Sequence, residues 1–225
     1  VSGFARFAED QLQIIALCIM AAVYTTRLFW LFRFKAGRDR QPRTGRESTD
    51  SRKGSLWSVA NVAMPWAMES TRRNPIFWIQ FVLFHLGVVL NISMSFMVPY
   101  WAGFAASEGR VRFFQGVLGV AFVVGCLRIV RRLSKPVMRR LSSPDDYFSL
   151  GMITSWLLLG ALTAPGTDHG IRLAYFLLTA FFLVYVPFSK ISHYLYYPFT
   201  RWWLGRTMGY RGVFPLERRV PGAGA

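Results

Sequence analysis

Two histidines in this chain stand where an ionisable side chain is costly. The stretch from Pro75 to Tyr100, PIFWIQFVLFHLGVVLNISMSFMVPY, contains no Asp, Glu, Lys or Arg, yet His85 lies near its middle. An imidazole among Phe, Leu and Val inside hydrocarbon marks a functional position whose partner should be identifiable. That partner is sought in His193, within VPFSKISHYLYYPF at the end of the last apolar run. Two neutral imidazoles from different helices can each present a ring nitrogen to one metal, and haem iron takes axial ligands of this kind. Other chemistry fits the same residues. A proton relay uses intramembrane histidines, and the plainest readings make His85 a hydrogen-bonded core residue and His193 an interfacial residue beside Tyr194, Tyr196 and Tyr197. His169, in APGTDHG, reads as a solvated turn residue.

The elements that must position these residues are apolar runs. With 53% hydrophobic residues, 20 Phe and 8 Trp arranged in long uncharged stretches, the chain belongs to the membrane class. After an amphipathic start, VSGFARFAEDQ, a first span is predicted over Leu12 to Phe34, with Arg27 near its end. Arg27 is a topology anchor that snorkels to the surface, or a contact for a haem propionate. The segment KAGRDRQPRTGRESTDSRKGS is too polar to enter a membrane and reads as a solvated loop or docking segment. SLWSVANVAMPWAMES reads as an interfacial piece. The second span is Pro75 to Tyr100. A third runs from Phe113 to Val130 and ends in the basic LRIVRRLSKPVMRR. Ser143, Pro144, Asp145 and Asp146 supply a helix start for a fourth span, Tyr147 to Ala164: a capping hydroxyl, Pro at the first helical position and acids facing the positive end of the dipole. A fifth runs from Ile171 past Ser189, with its helix expected to continue to His193 or beyond.

The expected fold is therefore all-α, one membrane domain over residues 1–225 with five transmembrane helices, a cytoplasmic basic loop at 35–74 and a cytoplasmic tail at 199–225. Charge sets the orientation. The segment from Arg33 to Arg73 holds ten Lys or Arg, Arg128 to Arg140 six, and the tail from Lys190 six, whereas the other side holds only Arg6, Arg110, Arg112 and Arg172. The positive-inside rule then puts the N-terminus outside and the C-terminus in the cytoplasm. The net charge of +16 is spread between apolar runs rather than over one soluble face, which argues against nucleic acid as a partner and for membrane lipid. Cys18 and Cys126 fall within spans with no CxxC, CxxCH or four-cysteine set, so an iron-sulfur cluster, a c-type haem or a zinc finger held by this chain is not expected. The sequence opens on Val1 without a cleavable signal pattern and is expected to start a few residues into its gene product.

The chain resembles the gamma subunit of respiratory nitrate reductase and the related membrane cytochrome subunits of heterodisulfide-reductase-like and sulfite-reduction-associated complexes. The likeness covers nearly the whole chain: five spans, FHLG at Phe84 to Gly87, the PYW after the second span, the RRLSKPVMRR loop and, most specifically, PFSKISH at Pro187 to His193. In that family two haems b are each held by one histidine of the second span and one of the fifth. The resemblance implies that His85 and His193 are the axial ligands of the haem nearer the cytoplasm. The positions of the outer pair hold Ser95 and Tyr175 instead, which implies one haem b and not two.

The resemblance further implies an electron-transfer subunit of a quinone-linked respiratory oxidoreductase, rather than an enzyme on its own. It would sit in a bacterial or archaeal cytoplasmic membrane and exchange electrons between membrane quinone and a cytoplasmic iron-sulfur subunit docked on the basic loops. Glu108, Arg112, Asp168 and His169, on the outer side, are candidates for quinone contact or proton exit. The alternative is a non-redox membrane anchor of a larger complex. A small transporter is disfavoured, because the chain shows no inverted repeat and no acidic residue within a span.

Overall fold

The computed structural model describes residues 3–34, 37, 39–67, 69–101 and 103–216. Every regular element among them is helical: α1 (Gly3–Glu9), α2 (Gln11–Arg33), α3 (Ser51–Ala60), α4 (Glu69–Arg73), α5 (Pro75–Tyr100), α6 (Glu108–Ser134), α7 (Pro136–Leu141), α8 (Pro144–Thr163), α9 (His169–Tyr185) and α10 (His193–Tyr210). Among the described residues four stretches are long and apolar enough to cross a membrane: Gly3–Arg33, Pro75–Tyr100, Glu108–Ser134 and His169–Phe188. This places the chain among multi-pass membrane proteins. Helix α8 has 20 residues, about 30 Å at 1.5 Å per residue. Its first turn carries Asp145 and Asp146, and it is not one of these four.

The chain forms two compact units, residues 1–33 with 79–192 and residues 34–78 with 193–225. The basic loop and the tail that the sequence sets apart thus fall together in the second unit.

In the first unit α5, α6, α8 and α9 meet over a core of Phe84, Met94, Leu118, Ala121, Leu157 and Phe176, among others. Close approach of α5 to α6 depends on Gly87, where a Cβ would lie 2.2 Å from the Ala121 Cβ. Gly87 therefore serves close helix packing. Helix α2 reaches α9 through Gln13, whose Nε2 donates to the Phe176 carbonyl at 2.8 Å. Much of α2 is otherwise outward-facing, with Phe29, Trp30 and Phe32 all exposed, as lipid contact requires.

Two boundaries follow from particular residues. Helix α8 begins at Pro144, where the sequence places it. The Ser143 N–H donates to the Asp146 carboxylate at 2.7 Å and the Ser143 hydroxyl to the same oxygen at 2.9 Å. The acid reaching back, more than the hydroxyl, makes this cap. The fifth predicted span differs from expectation. Instead of running on to His193, α9 stops at Tyr185 and gives way to two 3-10 turns, Val186–Phe188 and Lys190–Ser192, before α10 starts. Pro187 lacks the N–H that would continue the ladder, and Ser189 is extended (φ −104°, ψ 171°).

In the second unit α3 packs along α10 at backbone distance. A Cβ at Gly54 would lie 2.3 Å from the Gly205 carbonyl oxygen, and one at Gly205 would lie 2.4 Å from that of Gly54. Around this crossing, Ser55 donates to the Trp202 carbonyl at 3.0 Å, and Arg201 donates to the Ser58 carbonyl at 3.0 Å and to Asn61 Oδ1 at 2.8 Å. The polar loop is folded back on this pair. Gly45 N–H donates to the Arg211 carbonyl at 2.8 Å, Arg46 N–H to that of Gly212 at 3.1 Å, and Arg211 forms an ion pair with Asp39. The sequence predicts a solvated loop or docking segment here. Most of its residues are exposed, Arg43 donates to the Arg46, Glu47 and Thr49 carbonyls, Arg46 to that of Pro215, and its last residues form the start of α3.

Candidate functional site

His85 is half-buried on α5. Its Nδ1 lies 2.8 Å from the Phe81 carbonyl oxygen, one helical turn earlier. A carbonyl only accepts, so Nδ1 carries the proton, and in the neutral ring Nε2 carries the lone pair. The ring is fixed by two phenylalanines: Phe81, tilted at 4.1 Å between centroids, and Phe84, edge-on at 6.0 Å. A neutral imidazole with Nδ1–H tied to a carbonyl and Nε2 basic is the donor that haem iron takes. By its chemistry, His85 fits an axial ligand.

His193 is the first residue of α10, in the second unit, and is exposed. The 3-10 turns ahead of it are held by Ser189 and Ser192. The Ser189 hydroxyl donates to the Val186 carbonyl at 3.1 Å, and that of Ser192 to the Ser189 carbonyl at 2.8 Å.

Ser95 and Tyr175, where the resemblance would lead one to look for a second ligand pair, make other bonds. Tyr175 is fully buried, and its hydroxyl donates to the Asn91 carbonyl at 2.7 Å. The Trp156 ring stacks on it at 6.2 Å with 3° between planes. Trp156 Nε1 donates to the Thr179 hydroxyl at 2.8 Å, which donates to the Tyr175 carbonyl at 2.7 Å. Asn91 Nδ2 donates to the Trp156 carbonyl at 3.0 Å. This network ties α5, α8 and α9 together. Ser95 turns its hydroxyl to the Ile92 carbonyl of its own helix, and Met94 is packed in the core. None of these side chains offers an imidazole, so the residues present do not fit a second bis-histidine haem.

The remaining sequence candidates have local partners. Arg27 donates to the Pro187 carbonyl and lies 5.5 Å from the Phe188 ring, so it supports the break after α9. Glu108 and Arg112 form an exposed i,i+4 ion pair at 2.5 Å. Asp168 is the N-cap of α9 and accepts from Gly170 and Ile171 N–H at 2.7 and 2.9 Å. His169, next to it, is exposed. No bond joins the Glu108–Arg112 pair to the Asp168 cap among the described residues.

Three features escape the sequence reading. The first is a bidentate ion pair joining α1 to α9, in which Arg172 meets both oxygens of Glu9 at 2.8 and 2.6 Å. Beside it Tyr100 donates to Asp10 at 2.8 Å, at the edge of a cleft of about 430 Å³ lined by Arg6, Phe7 and Pro99. Lone opposite charges at the ends of two apolar runs were the available signal. The second is a clasp between the start of α8 and the end of α9. Lys190 Nζ sits 2.8 Å from Asp146 and 2.7 Å from the Ser143 hydroxyl, while Tyr185 donates to Asp145. Both carboxyls are held below the usual carboxylate range, Asp146 by Lys190 first and then the Ser143 N–H, Asp145 mainly by the Tyr185 hydroxyl. The third is Arg128, half-buried on α6 with its guanidinium 5.1 Å from the centre of the Phe84 ring.

Among the described residues no group of three or more His, Cys, Asp or Glu side chains is close enough to hold a metal ion. A haem needs no such group, because its four equatorial nitrogens belong to the macrocycle.

No protein-family model matches the chain, and no solved structure matches it. A protein of Nitratidesulfovibrio vulgaris, described only as a protein, is 30% identical over 165 residues, which cover 68% of this chain and 70% of the relative. With that identity and coverage, the chain belongs to the same family as the N. vulgaris protein.

Proposed function

We propose that this chain is the haem b membrane subunit of a quinone-linked respiratory oxidoreductase, passing electrons between membrane quinone and a cytoplasmic iron-sulfur partner. The observation that carries the proposal is the His85 imidazole, fixed by the Phe81 carbonyl in the tautomer whose Nε2 is basic. It stands in an apolar helix within an FHLG sequence, and PFSKISH supplies His193. In this reading His85 and His193 would hold the haem iron through their imidazoles, and the bound haem would supply a one-electron carrier. The residues themselves orient and insulate. Phe81 fixes the imidazole plane, Phe84 shields it, and Gly87 lets α6 close behind it.

The count of one haem is supported by Tyr175 and Ser95, whose hydroxyls are engaged by helix carbonyls where a second ligand pair would stand. The topology belongs to the same proposal: α8 is the fifth crossing, the N-terminus is outside, and the C-terminus is in the cytoplasm of a bacterial or archaeal cell. Glu108, Arg112, Asp168 and His169 then face the outer side as quinone or proton-exit candidates, and the basic loops are the docking segments for the iron-sulfur partner.

The exposure of His193 favours one competing reading, a non-redox anchor in which neither histidine binds metal. A reduced-minus-oxidised spectrum of the purified protein separates the two. The proposal expects b-type bands and a pyridine haemochrome ratio of about one haem per chain. The absence of such bands overturns the haem reading, and a ratio near two overturns the single-haem count.

A further inference from the structure

Arg128 combines a permanent charge with surroundings that do not answer it. It lies on α6 in the part of the helix that packs against α5, is half-buried, and rests its guanidinium over the Phe84 ring. That ring is the one whose edge meets His85. The guanidinium is therefore no farther from the imidazole than the sum of two ring contacts, 5.1 and 6.0 Å between centres. Among the described residues no carboxylate forms an ion pair with Arg128. The acids nearest in sequence to this end of α6, Asp145 and Asp146, are engaged by Tyr185, Ser149, Ser143 and Lys190. One turn further on, Arg131 and Arg132 share the sign of Arg128, and Arg132 is tied to the Ser142 hydroxyl at 2.6 Å. Like charges at i+3 and i+4 raise the cost of leaving Arg128 without a counter-charge.

A half-desolvated guanidinium, held flat by an aromatic face and presenting a planar fork of N–H donors, is a binding group for a carboxylate or phosphate. We infer that Arg128 holds a propionate carboxylate of the haem that His85 ligates. This rests on the haem b reading above and adds to it the group that fixes the macrocycle's rotation about the iron–imidazole axis. The counter-charge also bears on energetics. A cation beside the haem edge favours the reduced iron, which carries one positive charge less, and it neutralises a propionate that would favour the oxidised state. Arg128 thus sets the midpoint potential as well as the pose. The same oxyanion chemistry is offered by a second source, the phosphate of an anionic lipid headgroup.

The test uses the full chain purified with its native partners and compares wild type with Arg128→Gln and Arg128→Lys. Haem content and midpoint potential are measured in nanodiscs of phosphatidylcholine alone and of phosphatidylcholine with phosphatidylglycerol. The expected result is a shift of the potential to more negative values in Arg128→Gln, equal in both lipids, with most of the shift restored by Lys. Where Gln loses haem altogether, the Lys variant, which keeps the charge and loses the fork, carries the measurement: haem retained with a smaller negative shift supports the inference. Wild-type potential and haem content in Arg128→Gln overturn it. A change in thermal stability on substitution that appears only with phosphatidylglycerol, at unchanged potential, also overturns it and assigns the site to lipid. A wild-type protein without haem removes the underlying reading, and this inference with it. Haem in the wild type that ignores Arg128 removes the inference alone.

Discussion

A histidine inside hydrocarbon has to be held in one tautomer to be useful, and the Phe81 carbonyl does this for His85 within its own helix. Replacing His85 or His193 with Ala is expected to abolish haem binding while the chain still inserts. Insertion depends on hydrophobicity summed over about 20 residues, which one Ala does not lower. Absorbance at the Soret band in membranes holding equal amounts of each variant checks this, and full haem retention in both would sink the ligand assignment. His85 was legible because an ionisable residue in an uncharged run stands out. The partners of Arg27, Tyr175 and Arg128 were not, because each is set by a residue far off in the chain: Pro187, Asn91 and Phe84. Arg27 shows the difficulty well. A lone arginine near the end of a span reads as a snorkelling anchor, and only the break after α9 provides the Pro187 carbonyl that it meets.

At the scale of elements, two contacts invite substitution or titration. The crossing of α3 and α10 has backbone on both sides of Gly54 and Gly205, so an added side chain has no flexible neighbour to displace. Gly205→Val should cost on the order of 2 kcal/mol or more, as overpacking does. The measurable effect is faster tryptic cleavage at the arginines between residues 40 and 52, which this unit holds through Arg43, Arg46 and Asp39. Cleavage at the wild-type rate would contradict the close crossing. The clasp at the start of α8 predicts a pH response. Asp145 and Asp146 have carboxyls lowered by folding, so their contribution is complete above the unfolded carboxylate value, about 3.9, and is lost as pH falls through the lower folded value. The melting temperature should hold between neutral and mildly acidic pH and fall below about pH 4, whereas Asp146→Asn should lower the plateau and flatten the fall. The start of α8 was readable from Ser143 and Pro144 because capping is local. The end of α9 was not, because a proline in an apolar run can kink a helix or stop it, and Ser189 and the carbonyl contact from Arg27 decide the outcome.

For the whole molecule, composition fixed the class and left the organisation open. Apolar runs marked the membrane helices, since length and hydrophobicity are properties of the segment itself. The pairing of a polar loop near residue 50 with a tail near residue 205 depends on small residues at matching turns, Gly54, Ser55 and Ser58 against Gly205 and Gly209, which carry no signal until both helices are known. The proposed orientation makes a direct prediction: single cysteines placed at Ser107 and at Thr44, in a chain with Cys18 and Cys126 replaced by Ala, should react from opposite sides of intact cells. Ser107 should take up a membrane-impermeant maleimide and Thr44 should not until the cells are opened; the reverse pattern refutes the orientation.

The helix crossing at Gly54 also has a consequence in time. Helices α3 and α10 are separated by roughly 130 residues of chain, and at about 5–20 residues per second the ribosome needs on the order of 7 to 26 seconds to deliver the second after the first. Throughout that interval α3 is synthesised but has no mate, with the exposed carbonyl side of Gly54 and the arginines before it open to aggregation, to proteases and to chaperones alike. The crossing can close only after the last apolar helix has left the ribosome, so the basic unit becomes protease-resistant late, and its closure reports that the membrane part has already been made.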